Sequence, residues 1–150
     1  MRNSQVFLRK FEPSDLVRVL RIERLSFAID PWPKAKFEDC YKHNPDEFIV
    51  AEFNDKTIGY VVGRIRNDKA SIGSVAVEPK FRREGTGYQL LTFILNHFKN
   101  KKVKLVKAEV RTINEGSIKL FKSLHFKIIK TLPKFYPDGG DAYLMEVKLG

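Results

Sequence analysis

Apolar positions change period several times along this chain, and each change marks an element. Val6-Phe7-Leu8-Arg9-Lys10-Phe11 reads as a first strand. Pro13 stops it, and Ser14 is placed to cap a helix beginning at Asp15. Leu16, Val19, Leu20, Glu23 and Phe27 then recur at helical spacing until Asp30-Pro31-Trp32-Pro33 breaks the chain. A second short helix is expected over 35–42. Apolar runs at 48–53, 58–65 and 70–77 read as strands, with Asn54-Asp55-Lys56 and Asn67-Asp68-Lys69 as turns. Their short connections predict an antiparallel meander. The segment 87–98 sets Leu90, Leu91, Ile94, Leu95 and Phe98 on one helical side. The segment 103–110 is apolar enough for a central strand, with lysines interleaved. Asn114 is placed to cap a helix running to Ser123, with Ile118, Phe121 and Leu124 facing inward. Strands at 126–132 and 142–149 close the pattern. The result is a mixed α/β architecture with a strand–helix–strand crossover around 74–110. With 150 residues and no repeat, low-complexity tract or long linker, one domain over 1–150 is expected.

Charge changes the picture more than composition does. The chain carries 28 Lys and Arg against 18 Asp and Glu, a formal +10, so its surface attracts anions. Lys99, Lys101, Lys102, Lys104 and Lys107 are a dense part of that excess. A solvated helix end and edge accounts for them, and so does a functional basic patch. No nucleic-acid reader motif accompanies them, and no specific nucleic-acid partner is expected. The single cysteine, Cys40, excludes an intrachain disulfide and argues against a Cys-rich metal site; His43, His97 and His125 show no ligand spacing. No metal is expected. No apolar run approaches the roughly 20 residues of a membrane span. Met1 leads straight into Arg2-Asn3-Ser4-Gln5, without the apolar core of a signal peptide. A cytoplasmic location without a membrane partner is the expectation.

The segment with the most chemistry is Val75-Ala76-Val77-Glu78-Pro79-Lys80-Phe81-Arg82-Arg83-Glu84-Gly85-Thr86-Gly87-Tyr88. An apolar strand enters a polar turn with two glycines, and an amphipathic helix follows at once. A helix start presents unpaired N–H groups, a place to hold a phosphate or pyrophosphate. The turn is not a P-loop, because no Lys-Ser or Lys-Thr follows the last glycine. It is not the dinucleotide fingerprint either, because Leu90 stands where the third glycine belongs. A tight strand-to-helix connection with solvated arginines explains the local pattern as well. Favouring a ligand, Arg82 and Arg83 offer charge-assisted contacts, and Gly85 and Gly87 let the backbone approach a diphosphate.

Arg82-x-x-Gly85-x-Gly87 resembles the acetyl-CoA pyrophosphate loop of the GNAT superfamily of N-acetyltransferases. Glu109-Val110-Arg111-Thr112-Ile113-Asn114, continuing through Leu120-Phe121-Lys122-Ser123-Leu124-His125-Phe126, is similar to that family's later segment. Lys134-Phe135-Tyr136-Pro137-Asp138-Gly139-Gly140-Asp141-Ala142-Tyr143 resembles the C-terminal loop and strand of protein N-terminal acetyltransferases, of the ribosomal-protein alanine and NatA types. Ile22-Glu23-x-x-Ser26-Phe27 and Pro31-Trp32 also fit those subfamilies. The likeness covers nearly the whole chain.

The resemblance implies a GNAT fold: a mostly antiparallel central sheet, flanking helices, and a strand pair splayed at the acetyl-CoA site. It implies acetyl-CoA as co-substrate and direct acetyl transfer to the free N-terminal α-amine of a protein or peptide, through a tetrahedral intermediate. Val75, Ala76 and Val77 would offer backbone groups to the pantetheine arm. Arg82, Arg83, Glu84, Gly85, Thr86, Gly87 and Tyr88 would surround the diphosphate, mainly through N–H groups. Asn114 would meet the cofactor, or act only as a helix cap, or both. Glu109 is the candidate base, with an ordinary strand residue or an Arg111 partner as the plain reading. Phe121 stands where the family usually has a tyrosine acid. It can pack on the pantetheine arm; either the thiolate leaves without a dedicated acid, or Tyr136 or Tyr88 substitutes. His125 replaces a usual glycine, which favours a turn role. Phe27, Asp30, Trp32, Tyr136 and Tyr143 would line the acceptor groove. A GNAT enzyme for lysine or a small amine, and a catalytically weak CoA-binding interaction protein, are the other readings. A ribosome or an accessory subunit is a conceivable partner.

Overall fold

The computed structural model describes residues 5–150. Met1–Ser4, the start read for a leader, lie outside the described residues. Seven strands form one sheet in the order β1-β2-β3-β4-β5-β7-β6. They are β1 Phe7–Lys10, β2 Phe48–Phe53, β3 Lys56–Arg66, β4 Lys69–Val77, β5 Leu105–Arg111, β6 Lys127–Leu132 and β7 Ala142–Lys148. Helix α1 is Leu16–Ser26, α2 Lys34–His43, α3 Thr86–Asn100 and α4 Glu115–Ser123. These match the expected elements to within a residue or two at most ends. β2, β3 and β4 form the expected meander, and α3 is the crossover between parallel β4 and β5.

The central strands are covered on both sides, which is why they read as nearly continuous apolar runs. One face packs Ile49, Val61 and Val106 against Leu90, Ile94 and Phe98 of α3. The opposite face packs Phe48, Val50 and Tyr60 against Val19 and Ile22 of α1 and Phe37 of α2. β6 is an exposed edge strand, and Lys127 and Lys130 protect it from further pairing.

Two helix ends differ from the sequence expectation. Ser14 does not cap α1: it lies in a short 3₁₀ turn, Pro13–Asp15, which opens with a capping box between Glu12 and Asp15. Asp15 does the local work instead, accepting hydrogen bonds from the Glu12 N–H at 2.8 Å and from Arg9 Nη1 and Nη2. At the end of α4, His125 has φ +71. Its N–H bonds the Lys122 carbonyl and the Phe126 N–H bonds the Phe121 carbonyl, the pattern of a left-handed helix cap. His125 is therefore a turn residue where glycine is the easier choice.

The feature that builds the site lies between β4 and β5. Their parallel pairing runs from Lys69 with Leu105 to Ile72 with Ala108 and stops there. Beyond it β4 stays on β3 while Glu109, Val110 and Arg111 pair only with β7. Among the described residues, the sheet is split open at its one parallel junction.

Candidate active site

A groove and a cavity meet at this split. The groove runs from Val75 along the glycine turn to the start of α3 and the facing side of α4. The cavity lies among α1, the α1–α2 connection, β4, β5 and the β6–β7 loop. Phe27, Val75, Asn114 and Ser117 line both, so the two are continuous.

Strand alternation decides which backbone groups face the opening. Glu78 donates its N–H to the Ile58 carbonyl on β3 at 2.7 Å. Val77 and Val75 therefore point their N–H and C=O groups away from β3, into the split. Ala76 corrects the sequence expectation. Its carbonyl faces β3, where an added Cβ on Gly59 would stand only 3.1 Å away.

At the turn, Arg83 and Gly85 both take positive φ, +65 and +84. That reversal brings the chain onto the first turn of α3. The Gly85 carbonyl accepts the Gln89 N–H, leaving the preceding N–H groups of Thr86, Gly87 and Tyr88 free of helical partners. A Cβ on Gly85 would meet nothing within 4 Å, so glycine is favoured there by backbone conformation alone. Arg82 lines the groove but is already engaged. Its Nε donates to the Val77 carbonyl and its Nη2 to Ser26 Oγ, both at 2.8 Å. It ties the end of β4 to the end of α1 rather than reaching freely for phosphate. Arg83 lines the groove with its side chain exposed; Glu84 lines neither space.

Asn114 does cap α4, accepting the Ser117 N–H at 3.1 Å, while lining both spaces. Phe121 is buried edge-on against Phe126, 4.9 Å between ring centres, and lines the cavity rather than the groove. Tyr88 is exposed on the groove side. Glu109, Tyr136, Asp30, Trp32 and Phe27 all line the cavity. Glu109 Oε2 lies 3.8 Å from Lys107 Nζ, the cation two residues back on β5. Tyr143, by contrast, lines neither space; it pairs with Val110 across β5 and β7 and packs on the core.

Tyr136 is held on a turn, its N–H bonded to the Gly140 carbonyl and its own carbonyl accepting from Gly139. Burial pushes its hydroxyl above the ordinary value of 10; Arg111 opposes the rise, while Glu109 and Asp30 add to it. The hydroxyl stays protonated and remains a donor at neutral pH.

Glu23 is the cavity residue that sequence reading missed. It is 2% exposed, yet it lines the cavity. Oε1 accepts from Tyr60 Oη and from Ser74 Oγ at 3.0 Å, and Oε2 accepts the Trp32 N–H at 2.9 Å. Burial pushes its carboxyl up, and the bonds from Tyr60, Trp32 and Ser74 only partly restrain it. Its signal was a carboxylate on the apolar stripe of α1.

Among the described strands, the sheet is split at its parallel β4–β5 pair, with a free helix start on one side and carboxylates on the other. The acetyltransferase (GNAT) family matches residues 16–126, and the chain belongs to it: it is an N-acetyltransferase. An N-alpha-acetyltransferase of Sulfurisphaera tokodaii is 32% identical over 155 residues, 95% of this chain and 92% of its own length. Ard1 from Thermoplasma volcanium shares the fold with a TM-score of 0.92 at 30% identity, over 97% of this chain and 98% of that one. The ribosomal-protein-S18-alanine N-acetyltransferase from Escherichia coli follows at 0.86 and 25%, over 97% and 95%. This chain spans 41% of the length of a longer relative, an uncharacterized Mycobacterium leprae protein 32% identical over 149 residues. Among the described residues, no helix is long and apolar enough to cross a membrane.

Proposed function

We propose that the protein transfers the acetyl group of acetyl-CoA to the free α-amine at the N-terminus of a protein or peptide. The observation that carries this is the continuity of an N–H-lined groove with a carboxylate-lined cavity through the split between β4 and β5. The relatives named for N-alpha and S18-alanine acetylation support the choice of amine.

Acetyl-CoA supplies an acyl group already activated as a thioester. The free N–H groups of Thr86, Gly87 and Tyr88, with Arg83, suit its diphosphate. The outward groups of Val75 and the Val77 N–H hold the pantetheine arm along the split. Arg82 fixes the Val77 carbonyl that borders it. On the acceptor side, Asp30 attracts the incoming ammonium and Glu109 takes its proton. An α-amine with a pKa of about 8 needs only a modest base, whereas lysine sits near 10.4. Tyr136, kept protonated by burial, gives a proton to the departing sulfur and replaces the hydroxyl that Phe121 lacks.

Mass-resolved transfer from acetyl-CoA tests the reading. The panel holds peptides with free Ser, Ala, Thr, Met, Gly, Asp and Glu starts, their Nα-blocked lysine counterparts, and polyamines. Products confined to free α-amines are expected; products on lysine or polyamine overturn it.

A further inference from the structure

Two contacts of Trp32 converge where β4 leaves β5. Its backbone N–H is held by Glu23 Oε2 at 2.9 Å. The edge of its ring at Cη2 approaches Gly73, the first residue of β4 beyond the last β5 pairing. A Cβ at Gly73 would stand 2.6 Å from Trp32 Cη2. Lys36 Nζ covers the ring, 4.1 Å from its centre. Glu23 in turn is fixed from below by Ser74, the next residue of β4, and by Tyr60 of β3. One buried side chain thus joins α1, two strands and the α1–α2 connection that carries Asp30 and Trp32.

We propose that Glu23 is a positioning residue for the acceptor side of the site: by holding the Trp32 N–H it fixes the α1–α2 connection over the split, and so the opening through which the amine enters. This rests on the acceptor reading of the cavity given above. Glu23 does not take the substrate's proton. Both carboxylate oxygens already accept bonds from the protein, and the residue is 2% exposed. Burial raises its carboxyl, in line with a group placed for its bonds rather than its charge.

The chemistry of a conservative change is informative. In Glu23→Gln the amide oxygen can still accept from Tyr60 and Ser74. Its NH₂ then faces the Trp32 N–H, donor against donor, and that one link is lost. Trp32 is the chain's single tryptophan, so intrinsic fluorescence reports this position without a label.

Three readouts test the proposal together. In the unaltered protein, the Trp32 amide should exchange with solvent deuterium far more slowly than the amide of exposed Lys34 nearby. Equal rates overturn the proposal, and this measurement carries no risk from a variant that fails to fold. In Glu23→Gln, Trp32 emission should shift to the red and become more accessible to acrylamide, while KM for the acceptor rises about tenfold. KM for acetyl-CoA should stay within about twofold, because the groove is built from other residues. Unchanged emission with unchanged acceptor KM overturns the proposal. So does a loss confined to kcat, which would make Glu23 a proton-transfer group. The exchange and emission measurements need no substrate. They can therefore fail while the amine specificity holds, or hold while it fails.

Discussion

The guanidinium carbon of Arg111 lies 3.9 Å from the centre of the Tyr136 ring. Arg111 Nη1 also lies 3.0 Å from Asp138 Oδ1, while Nη2 is buried without a hydrogen-bond partner. Gly140 makes room for this arrangement, since a Cβ there would stand 2.5 Å from Nη1. A β5 side chain thus holds the β6–β7 loop and its tyrosine over the cavity. Arg111→Ala should raise acceptor KM about tenfold through loss of the stacked cation and the ion pair. Arg111→Lys should restore little of it, because a lysine lacks the flat, forked group. Steady-state kinetics with both substrates varied will show whether the change is confined to the acceptor.

Gly85 provides the corresponding test on the other side. Its φ of +84 is strained for any residue with a Cβ, although nothing within 4 Å would clash. Gly85→Val should weaken acetyl-CoA binding by about tenfold, through strain of about 1–2 kcal/mol and a side chain in the path of the diphosphate. Calorimetric titration with CoA measures it; normal affinity would remove the turn from the cofactor site.

Glu109→Gln should lower kcat about a hundredfold with little change in acetyl-CoA KM, as expected for removal of a general base. A pH–rate profile of the variant belongs with this measurement. An unchanged rate across that profile would assign the proton to another group.

His125→Gly should stabilise the protein by about 0.5–1 kcal/mol, because φ +71 costs a side-chain-bearing residue more than glycine's extra chain entropy. Chemical denaturation of the two proteins will show the sign.

Asp15 ties stability to acid pH. Burial pushes its carboxyl up, but the bonds from Arg9, the Glu12 N–H and Thr57 outweigh that and hold it below the ordinary 3.8. A depressed folded value means stability that is present above about 3.8 and is lost as pH falls through the folded value. Asp15→Asn should cost about 2 kcal/mol at pH 7, with Arg9 a third exposed, and the difference should shrink in acid. Denaturation midpoints from pH 7 down to 2 provide the comparison.

The elements were readable because their signals are local. Apolar runs bounded by turn residues marked β2, β3 and β4, and the stripe Leu90, Leu91, Ile94, Phe98 marked α3. Gly85 and Gly87 marked the turn for the same reason. Side-chain commitments across long separations were not readable. Nothing near Arg82 shows that its second partner is Ser26, on another element. Nor does alternation alone tell that Ala76 faces β3 while its neighbours face the split. Tyr143 looked like an acceptor residue from its motif, yet the pairing of β7 with β5 turns it to the core. Glu23 was visible as a charge on an apolar stripe, but its meaning depended on Tyr60 and Ser74 of the sheet.

One peptide carrying both a free α-amine and an unblocked lysine tests the central claim most directly. After incubation with acetyl-CoA and the protein, fragment-ion mass spectrometry assigns the acetyl group to one nitrogen or the other. Acetylation at the α-amine, with the lysine untouched, is the predicted result; acetyl-lysine with a free N-terminus would contradict it.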